Sequence, residues 1–320
     1  MRVLVTGGAG GLGITICHVL HEAGFEVRVL DLNNPANRKR VRVLAGRSEV
    51  QWGDVTDPIS VENALSGIDA VIHLAGLLPP TTEEQPEMAH RVNVGGTENL
   101  ITGIKQSGKT IPLVFASSTL VFGPTPEAKA PLSLESNPPN PRMTYSKTKW
   151  ESENRIRDSG IDHVILRCTS IPYLSLSIGQ MRDLMFTIPL DNRLEFCHID
   201  DAAAAMVKSI SLFDSARNRT LVIAGGPTQR MLYRDMIGTI LSTFGLPLPP
   251  AGRFTTEPYE LDWYDTTESQ SLLSYQHKTL DDYARDLRRQ LPTPVPTIMQ
   301  YAIGPLLGGT LARLLLRPRS

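Results

Sequence analysis

Residues 2–31 read RVLVTGGAGGLGITICHVLHEAGFEVRVLD, and this stretch decides the fold. An apolar run at 2–5 leads into a glycine-rich turn at 6–13, and apolar residues with helical spacing follow from 14 to 23. A second apolar run at 27–30 ends on Asp31. Strand, glycine turn, helix, strand and terminal acid in this order predict a βαβ unit that binds a dinucleotide.

Each glycine of the turn has a separate physical role. Gly7 lets the chain turn sharply out of the strand, Gly10 lets the backbone approach a pyrophosphate, and Gly13 lets the helix pack closely on the sheet. The helix N-terminus offers free N–H groups and a partial positive charge to the phosphates. Asp31 is expected to accept hydrogen bonds from the adenosine ribose and to repel a 2′-phosphate, so NAD is predicted in preference to NADP. The residues expected at the pyrophosphate are Gly7, Gly10, Gly11, Leu12 and Gly13.

The composition is that of an ordinary soluble globular chain. The 320 residues are 41% hydrophobic and 20% charged, with a formal net charge of −1. This near-neutral balance gives no electrostatic reason to expect nucleic acid as a partner. The basic run at 38–40 is interpreted as a solvated loop. The alternative is that these charges reduce the preference for NAD over NADP. Because the first strand begins at Arg2, no signal peptide is expected, and a cytoplasmic location is predicted.

The three cysteines, Cys17, Cys168 and Cys197, are widely spaced and contain no CxxC pair. An odd number of separated cysteines is not typical of a disulfide framework or of a zinc site. We therefore expect reduced, buried thiols and no metal.

Strands and helices alternate after Asp31. The third strand is expected at either 41–44 or 50–52, and the apolar segment 70–76 is typical of a strand buried on both faces. The other expected strands are 113–118, 163–167, 194–199 and 220–224. The other expected helices are 61–65, 89–107, 178–188, 233–244 and 279–290. Two more helices are expected, one that begins at about 144 and one that is capped by Asp200 or Asp201 and ends at about 212. Loops are expected at 78–87, 123–141 and 246–258. The alternation predicts the α/β class, with a Rossmann-type doubly wound parallel sheet and ligands at the carboxyl ends of its strands.

The chain is expected to have three parts. Residues 1–168 would form an NAD-binding Rossmann domain, 169–294 a small C-terminal substrate lobe interleaved with the last Rossmann elements, and 295–320 an apolar tail. Within the tail, 297–316 is long enough to cross a bilayer, but Pro305, two glycines and an internal arginine interrupt it. A helix covering the protein or a partner subunit is favoured, with peripheral membrane contact and a bilayer span as the alternatives.

The segment Tyr145-Ser146-Lys147-Thr148-Lys149 predicts the chemistry. On a helix, Tyr145 and Lys149 lie four residues apart and share a face. A phenol normally titrates near pH ~10, and a nearby ammonium together with a positive nicotinamide ring lowers that pKa. Tyr145 would then take a proton from a secondary alcohol whose carbon gives up a hydride. Ser118, at the end of the fifth strand, is expected to hydrogen-bond the same oxygen. The alternative, a surface pair, is disfavoured by the strand that ends in Ser117-Ser118.

Further motifs follow these in a fixed order. They are GDVTD from Gly53, HLAG from His73, NVGGTENL from Asn93, ASSTLVFG from Ala116, PLSLESNPPNPRMTYSKTKWESE from Pro131, FCHIDDAAAA from Phe196 and LLSYQHKTLDDYARDL from Leu272. With TGGAGGLG from Thr6 and Asp31, the chain resembles the extended short-chain dehydrogenase/reductases of the NAD-dependent epimerase/dehydratase family. The resemblance extends from Arg2 to about Gln290.

The resemblance implies roles for individual positions. Ser118, Tyr145 and Lys149 would be catalytic, with Lys149 also reaching the nicotinamide ribose. The other positions at which it implies cofactor contacts are Asp31, Asp54, Val55, Leu74, Ala75, Gly76, Asn93 and Ser117. It implies structural roles for His73 and His198. Asp201 is likewise interpreted as structural, in the form of a helix cap.

The resemblance also implies a homodimer formed through helices near 94–104 and 147–156.

Three departures from the family bear on the substrate. Members that act on nucleotide sugars usually read R-x-x-N where this chain has Arg167-Cys168-Thr169-Ser170, and Arg-Asp before an aromatic residue where it has Leu194-Glu195. The interval 167–201 is also short. A diphosphate needs compensating donors, and Arg182 and Arg193 are the candidates that remain. An apolar stripe, Met181, Leu184, Met185 and Phe186, accompanies them. A small or apolar alcohol or ketone is therefore favoured over a nucleotide sugar.

Three functions follow from these observations. The first is an NAD-dependent oxidoreductase that interconverts a secondary alcohol and a ketone, with Tyr145 as general acid/base. The second uses the same site as a nucleotide-sugar epimerase or dehydratase. The third, of another class, is a non-catalytic NAD-binding sensor or assembly subunit, which the intact set Ser118, Tyr145 and Lys149 disfavours.

Overall fold

The computed structural model describes residues 1–125, 130–172 and 185–290. Its main feature is a parallel sheet of seven strands in the order β3-β2-β1-β4-β5-β6-β8. The strands of this sheet are β1 (Arg2–Thr6), β2 (Glu26–Asp31), β3 (Ser48–Trp52), β4 (Ala70–His73), β5 (Leu113–Ser118), β6 (His163–Cys168) and β8 (Arg219–Ile223). Two short strands, β7 (Arg193–Glu195) and β9 (Arg230–Leu232), form a separate antiparallel pair. The doubly wound Rossmann-type sheet predicted from the sequence is confirmed.

Helices cover both faces of the sheet. In chain order they are α1 (Gly11–Glu22), α2 (Pro35–Arg40), α3 (Pro58–Leu65), α4 (Thr81–Glu84), α5 (Pro86–His90), α6 (Gly96–Gln106), α7 (Thr144–Ser159), α8 (Ile199–Ser211), α9 (Phe213–Ala216), α10 (Tyr233–Thr243), α11 (Thr267–Leu273) and α12 (Leu280–Gln290). A π-helical turn at Arg91–Gly95 joins α5 to α6, and a 3₁₀ turn at Thr119–Phe122 follows β5.

Apolar residues on alternate strand positions build the two faces of the sheet. On one face, Val3 and Val5 pack with Ile16 of α1 and Ala203 of α8. On the other, Leu4 belongs to a cluster that includes residues of α3 and α6. Strands buried on both faces need helices on both sides, as the continuous apolar runs predicted. The carboxyl ends of β1, β4 and β5 therefore meet at one edge, where the predicted site residues lie.

A second apolar core lies away from the sheet. Its buried members include Leu194, Phe196, Tyr233 and Ile237, with Leu120 and Tyr145 from the neighbourhood of β5 and α7. Helix α7 thus contributes Tyr145 to this core and Ile156 to a core of the sheet. The predicted domain boundaries at residues 168 and 294 stay predictions.

The structure corrects several predicted elements. The third strand is 48–52, whereas 41–44 is a 3₁₀ turn that buries only its first and last residues. The expected loop at 78–87 contains α4 and the start of α5, and the basic run at 38–40 ends helix α2. The expected strand 194–199 is reduced to β7, because α8 already begins at Ile199. All three cysteines are buried and free, as expected.

Part of the sequence prediction lies outside the described residues. This applies to the tail 295–320 with its apolar stretch 297–316, and to 178–184 of the expected helix 178–188. None of the described helices has the length and apolar character needed to span a membrane. The homodimer stays a prediction.

Candidate active site

The glycine turn after β1 is too tightly packed to admit side chains at two of its glycines. Gly7 has φ +71°, and a Cβ at this position would lie 2.8 Å from the backbone N of Ala75. A Cβ on Gly13 would lie 2.5 Å from the carbonyl oxygen of Gly7. A side chain would therefore collide at either position. Helix α1 begins at Gly11, so its free N–H groups face the turn, and the predicted residues fit a dinucleotide.

Asp31 lies beside this turn at the end of β2. Its Oδ2 accepts from the backbone N–H of Ala9 at 2.9 Å, and its Oδ1 accepts from Leu32 N at 2.7 Å and Asn37 Nδ2 at 2.9 Å. Burial raises the pKa of Asp31, and the backbone hydrogen bonds partly offset this effect. The contact of Asn37 with Asp31 was not predicted. The one indication in the sequence is Asn34, which caps α2 by accepting a hydrogen bond from Asn37 N and so fixes the position of Asn37.

The other predicted cofactor positions lie at the same edge of the sheet. Asp54 Oδ1 accepts from Thr56 N at 2.8 Å, and the carbonyl of Val55 accepts from an α6 side chain. The backbone N–H of Leu74 donates to the carbonyl of Thr6, and that of Ala75 to the Thr6 hydroxyl. A Cβ on Gly76 would lie 3.7 Å from Lys149 Nζ. The segment after β4 therefore passes close to the ammonium of Lys149.

Asn93 and Ser117 use their side chains within the protein. Asn93 Oδ1 accepts from Leu77 N at 2.7 Å, and its Nδ2 donates to Thr148 Oγ1 at 3.0 Å. The Ser117 hydroxyl donates to Glu153 Oε1 at 2.5 Å. Asn93 therefore links the segment after β4 to α7, and Ser117 links β5 to α7. Their predicted contacts with the cofactor stay predictions.

Ser118, Tyr145 and Lys149 are all buried around the end of β5. Ser118 Oγ accepts from Leu120 N at 3.2 Å and so caps the 3₁₀ turn that follows. Lys149 Nζ donates to the carbonyl of Ala116 at 2.8 Å and lies 5.8 Å from the centroid of the Tyr145 ring. The structure thus places the ammonium between β5 and the phenol ring, on the helix face that the four-residue spacing predicted.

Burial strongly affects two basic groups at this site. Desolvation lowers the pKa of Lys149 from 10.5 to about 8. It also lowers the pKa of His73 to about 3, so this imidazole is neutral. The ring nitrogens of His73 lie 2.6 Å from Thr6 Oγ1 and 3.1 Å from Thr97 Oγ1. His73 is therefore a structural residue, as expected.

A buried ion pair behind Lys149 was not predicted. Glu153, one turn along α7, accepts from Arg167 Nε at 3.0 Å and Nη2 at 2.9 Å, and also from Arg157 at 2.5 Å. Glu153 and Arg167 are both almost completely buried. Their pairing holds α7 against β6. The available signal was the position of Glu153, four residues after Lys149 on the same helix face.

Two further carboxylates hold the first turn of α7. Glu83 accepts from the backbone N–H of Thr144 at 2.9 Å and of Tyr145 at 3.0 Å. Glu260 Oε1 accepts from Arg142 N at 2.5 Å and Met143 N at 3.0 Å. Neither acid was predicted, because no sequence pattern connects them to the helix.

Two arginines of the expected substrate lobe are paired with acids. Arg193 Nη2 lies 2.7 Å from Asp262 Oδ2, and Arg230 Nε lies 3.0 Å from the fully buried Glu195. Arg193, a candidate for holding phosphates, is thus already paired with Asp262, and its contact with a phosphate stays a prediction. Arg182, Met181 and Leu184 lie outside the described residues. Met185 is buried, and Phe186 is partly buried against the same apolar core.

The cap of α8 differs from the prediction. His198 caps the helix, since its Nδ1 accepts from Asp200 N at 3.1 Å. The prediction of Asp200 or Asp201 as the cap was therefore wrong. Asp201 instead accepts from the backbone N–H groups of His277 and Lys278, which attaches the segment before α12 to α8. His198 and Asp201 are therefore both structural, as expected, but the helix cap is His198 and not Asp201.

Comparisons with known proteins bear on this site. The sequence model of the NAD dependent epimerase/dehydratase family matches residues 3–224. The chain is 39% identical over 124 residues to 3 beta-hydroxysteroid dehydrogenase type 7 of Rattus norvegicus, across 38% of this chain and 36% of that protein. It is 36% identical over 167 residues to a UDP-glucose 4-epimerase of Schizosaccharomyces pombe, across 49% of this chain and 46% of that protein. The chain spans about a third to a half of the length of the curated relatives it matches.

A solved structure extends the comparison of folds. It is UDP-glucose-4-epimerase from Stenotrophomonas maltophila with bound NAD and formylated UDP-arabinopyranose, which aligns with a TM-score of 0.76. The alignment covers 90% of this chain and 97% of that chain at 21% identity. At that identity, the likeness concerns the fold alone.

Proposed function

The chain belongs to the NAD-dependent epimerase/dehydratase family, and from this premise we propose that it is an NAD-dependent oxidoreductase that transfers a hydride at a secondary alcohol or ketone. The observation that carries the proposal is the placement of Lys149. Its Nζ is anchored on the carbonyl of Ala116, two residues before Ser118, and lies 5.8 Å from the Tyr145 ring centroid. A buried ammonium near a phenol favours the phenolate, which can act as the general base for an alcohol held beside a strand-end hydroxyl.

We propose that NAD lies along the carboxyl edge of β1, β2 and β4. The turn residues Gly7, Gly10 and Gly13, with Gly11 and Leu12 at the helix start, would receive the pyrophosphate. Asp31 would receive the adenosine ribose, Asp54 and Val55 would contact adenine, and Leu74, Ala75 and Gly76 would border the nicotinamide end. When bound, NAD supplies the centre that accepts or returns a hydride.

The side chains would divide the proton chemistry as follows. Tyr145 takes the hydroxyl proton during oxidation and returns it during reduction. The Lys149 ammonium stabilises the phenolate that this role requires, because an opposite charge nearby favours the ionised form. Ser118 orients the substrate oxygen towards the phenol. General acid/base catalysis of this kind is typically worth about 10²–10⁴-fold in rate.

A neutral, apolar alcohol is our first substrate class. The arginines Arg193 and Arg230 are both engaged with acids within the described part of the substrate side, and the ring of Tyr145 packs in the apolar core that includes Phe196 and Tyr233. A diphosphate would need free cationic donors there. The similarity to a hydroxysteroid dehydrogenase supports the apolar class. Epimerisation of a nucleotide sugar is the second candidate, supported by the similarity to a UDP-glucose 4-epimerase.

One experiment separates these functions. The purified chain is incubated with NAD and either a 3β-hydroxysteroid or UDP-galactose, and both NADH absorbance and the sugar products are measured. Dehydrogenation accumulates NADH, whereas epimerisation interconverts UDP-sugars without net NADH. Tyr145→Phe should lower either activity by about 10²-fold or more while NAD still binds. A variant that retained wild-type turnover would refute the role of Tyr145. NAD binding without turnover of either substrate would exclude both of these substrates for the chain.

A further inference from the structure

The first turn of α7 takes its hydrogen-bond acceptors from two distant segments. Met143, at the N-cap, provides no side-chain acceptor to this turn in the described structure, although the first amides of a helix need acceptors from outside it. Glu83 comes from α4, in the segment that follows β4, and Glu260 comes from the connection before α11. Together they bind four consecutive backbone N–H groups, at residues 142–145.

We propose that Glu83 and Glu260 are positioning residues that fix the backbone of Tyr145 and keep its phenol from becoming too acidic. This inference rests on the proposed role of Tyr145 as acid/base. A base that also has to act as an acid in the reverse direction must hold and release its proton near the working pH. Lys149 and the positive end of α7 both favour the phenolate. The negative charges of the two carboxylates have the opposite effect, because they favour the protonated phenol.

The charges around this turn support the assignment. Partial burial alone would raise the pKa of Glu83, but hydrogen bonds from the amides of Tyr145 and Thr144 outweigh it, so its pKa lies below the ordinary value. Glu83 is therefore ionised at neutral pH. Burial raises the pKa of Glu260, and hydrogen bonds from the Ser146 side chain and from the amides of Met143 and Arg142 partly offset this rise. Glu260 Oε2 is buried and has no hydrogen-bond partner among the residues described.

The other ion pairs of α7 lie beyond its first turn. Glu151 pairs with His90 and Arg155, and Glu153 pairs with Arg157 and Arg167. Burial raises the pKa of Tyr259 to about 12, so this neighbouring phenol is neutral at pH 7. Glu83 and Glu260 are the carboxylates that hydrogen-bond to the start of α7, and Lys149 is the buried ammonium beside the Tyr145 ring.

The test measures the phenol directly. The NAD-loaded full chain is labelled with ¹³Cζ-tyrosine, the Tyr145 resonance is assigned by its loss in Tyr145→Phe, and its titration is followed by NMR. Glu83→Gln keeps the shape of the side chain and removes its charge, so the midpoint for Tyr145 should fall by roughly 0.5 pH unit or more. Glu84→Gln is the matched control. Glu84 is the next residue of α4 and is exposed like Glu83, but its carboxylate makes no hydrogen bond or ion pair within the described chain.

Each outcome supports or overturns the inference. Equal midpoints in wild type, Glu83→Gln and Glu84→Gln would overturn the charge role, even if Glu83→Gln exchanged its Thr144 and Tyr145 amides faster. Glu260→Gln provides an independent arm and should move the midpoint in the same direction. If Tyr145→Phe retained full turnover, the proposed function would fail instead. The NMR titration needs no turnover, so the two failures are distinguishable.

Discussion

The Asp31 carboxylate accepts a 2.9 Å hydrogen bond from the backbone N–H of Ala9, so the acid that ends β2 also holds the glycine turn. The two residues are 22 positions apart and belong to different elements. One side chain therefore holds the glycine turn in place and, with NAD bound as proposed, would also put a negative charge beside the position of a 2′-phosphate. Asn37 holds the second oxygen of the same carboxylate at 2.9 Å.

Asp31→Asn should weaken NAD binding by about 10- to 100-fold and should narrow the preference for NAD over NADP. The amide cannot repel a 2′-phosphate, and it accepts fewer of the hydrogen bonds made by the carboxylate. Titration calorimetry with both cofactors provides the measurement. Asp69→Asn is the control, because Asp69 bonds to Arg2 N at the opposite edge of the sheet. If Asp31→Asn bound NAD as tightly as wild type, the ribose role would be wrong.

Gly13→Ala should reduce NAD affinity by at least about tenfold, since its Cβ would lie 2.5 Å from the carbonyl oxygen of Gly7 and force the turn to open. Gly238→Ala is the matched control. Gly238 lies inside α10 with open space around it, so alanine there should leave binding unchanged and stabilise the protein by about 0.5–1 kcal/mol. Equal NAD affinity in both variants would show that the turn does not hold the cofactor.

Glu153→Gln should destabilise the protein by about 3–5 kcal/mol, because it leaves the buried charge of Arg167 without its partner. Glu151→Gln, on the same helix, removes an exposed pair with Arg155 and should change the unfolding free energy by less than about 1 kcal/mol. Urea unfolding of both variants makes the comparison. Similar losses in the two would mean that Glu153 does not attach α7 to β6.

The parts of the site that the sequence predicted are local. The turn at 6–13 and Asp31 lie within one βαβ unit, where glycine geometry and strand periodicity limit the alternatives. The helix pair Tyr145 and Lys149 follows from a four-residue spacing in the same way. The third strand was ambiguous because 41–44 and 50–52 are both apolar, and only pairing with β2 distinguishes them.

The parts that the sequence did not predict depend on distant residues. Glu83 binds the amide of Tyr145 across 62 positions, and Glu260 binds that of Met143 across 117 positions. Such caps are supplied by tertiary structure, so no local pattern next to α7 indicates them. The cap of α8 was mistaken for a related reason. Aspartate is the commoner cap, but the buried ring of His198 occupies that position here.

Lys149 should make the stability of the protein depend on pH, since burial lowers its pKa from 10.5 to about 8. Between these values the unfolded chain binds the proton that the folded protein has lost, so the unfolding free energy rises with pH. Lys149→Met lacks this titrating group and serves as the reference. As the pH rises from below 8 to 10.5, the unfolding free energy of the wild type should increase by up to about 3 kcal/mol relative to that of Lys149→Met. The loss of the hydrogen bond to Ala116 does not depend on pH and cancels from this comparison.

Urea unfolding of wild type, Lys149→Met and Lys147→Met at pH 7 and pH 10 measures this effect. Lys147 is exposed on the same helix, so its substitution should give the same difference from wild type at both pH values. Lys149→Met should also lose turnover, because no ammonium remains to stabilise the phenolate. A pH-independent stability difference for Lys149→Met would mean that the lysine is solvated in the folded protein. Together these results would show a buried ammonium that lowers the unfolding free energy at neutral pH and that turnover requires. This combination is expected of a group that is retained for its role in catalysis.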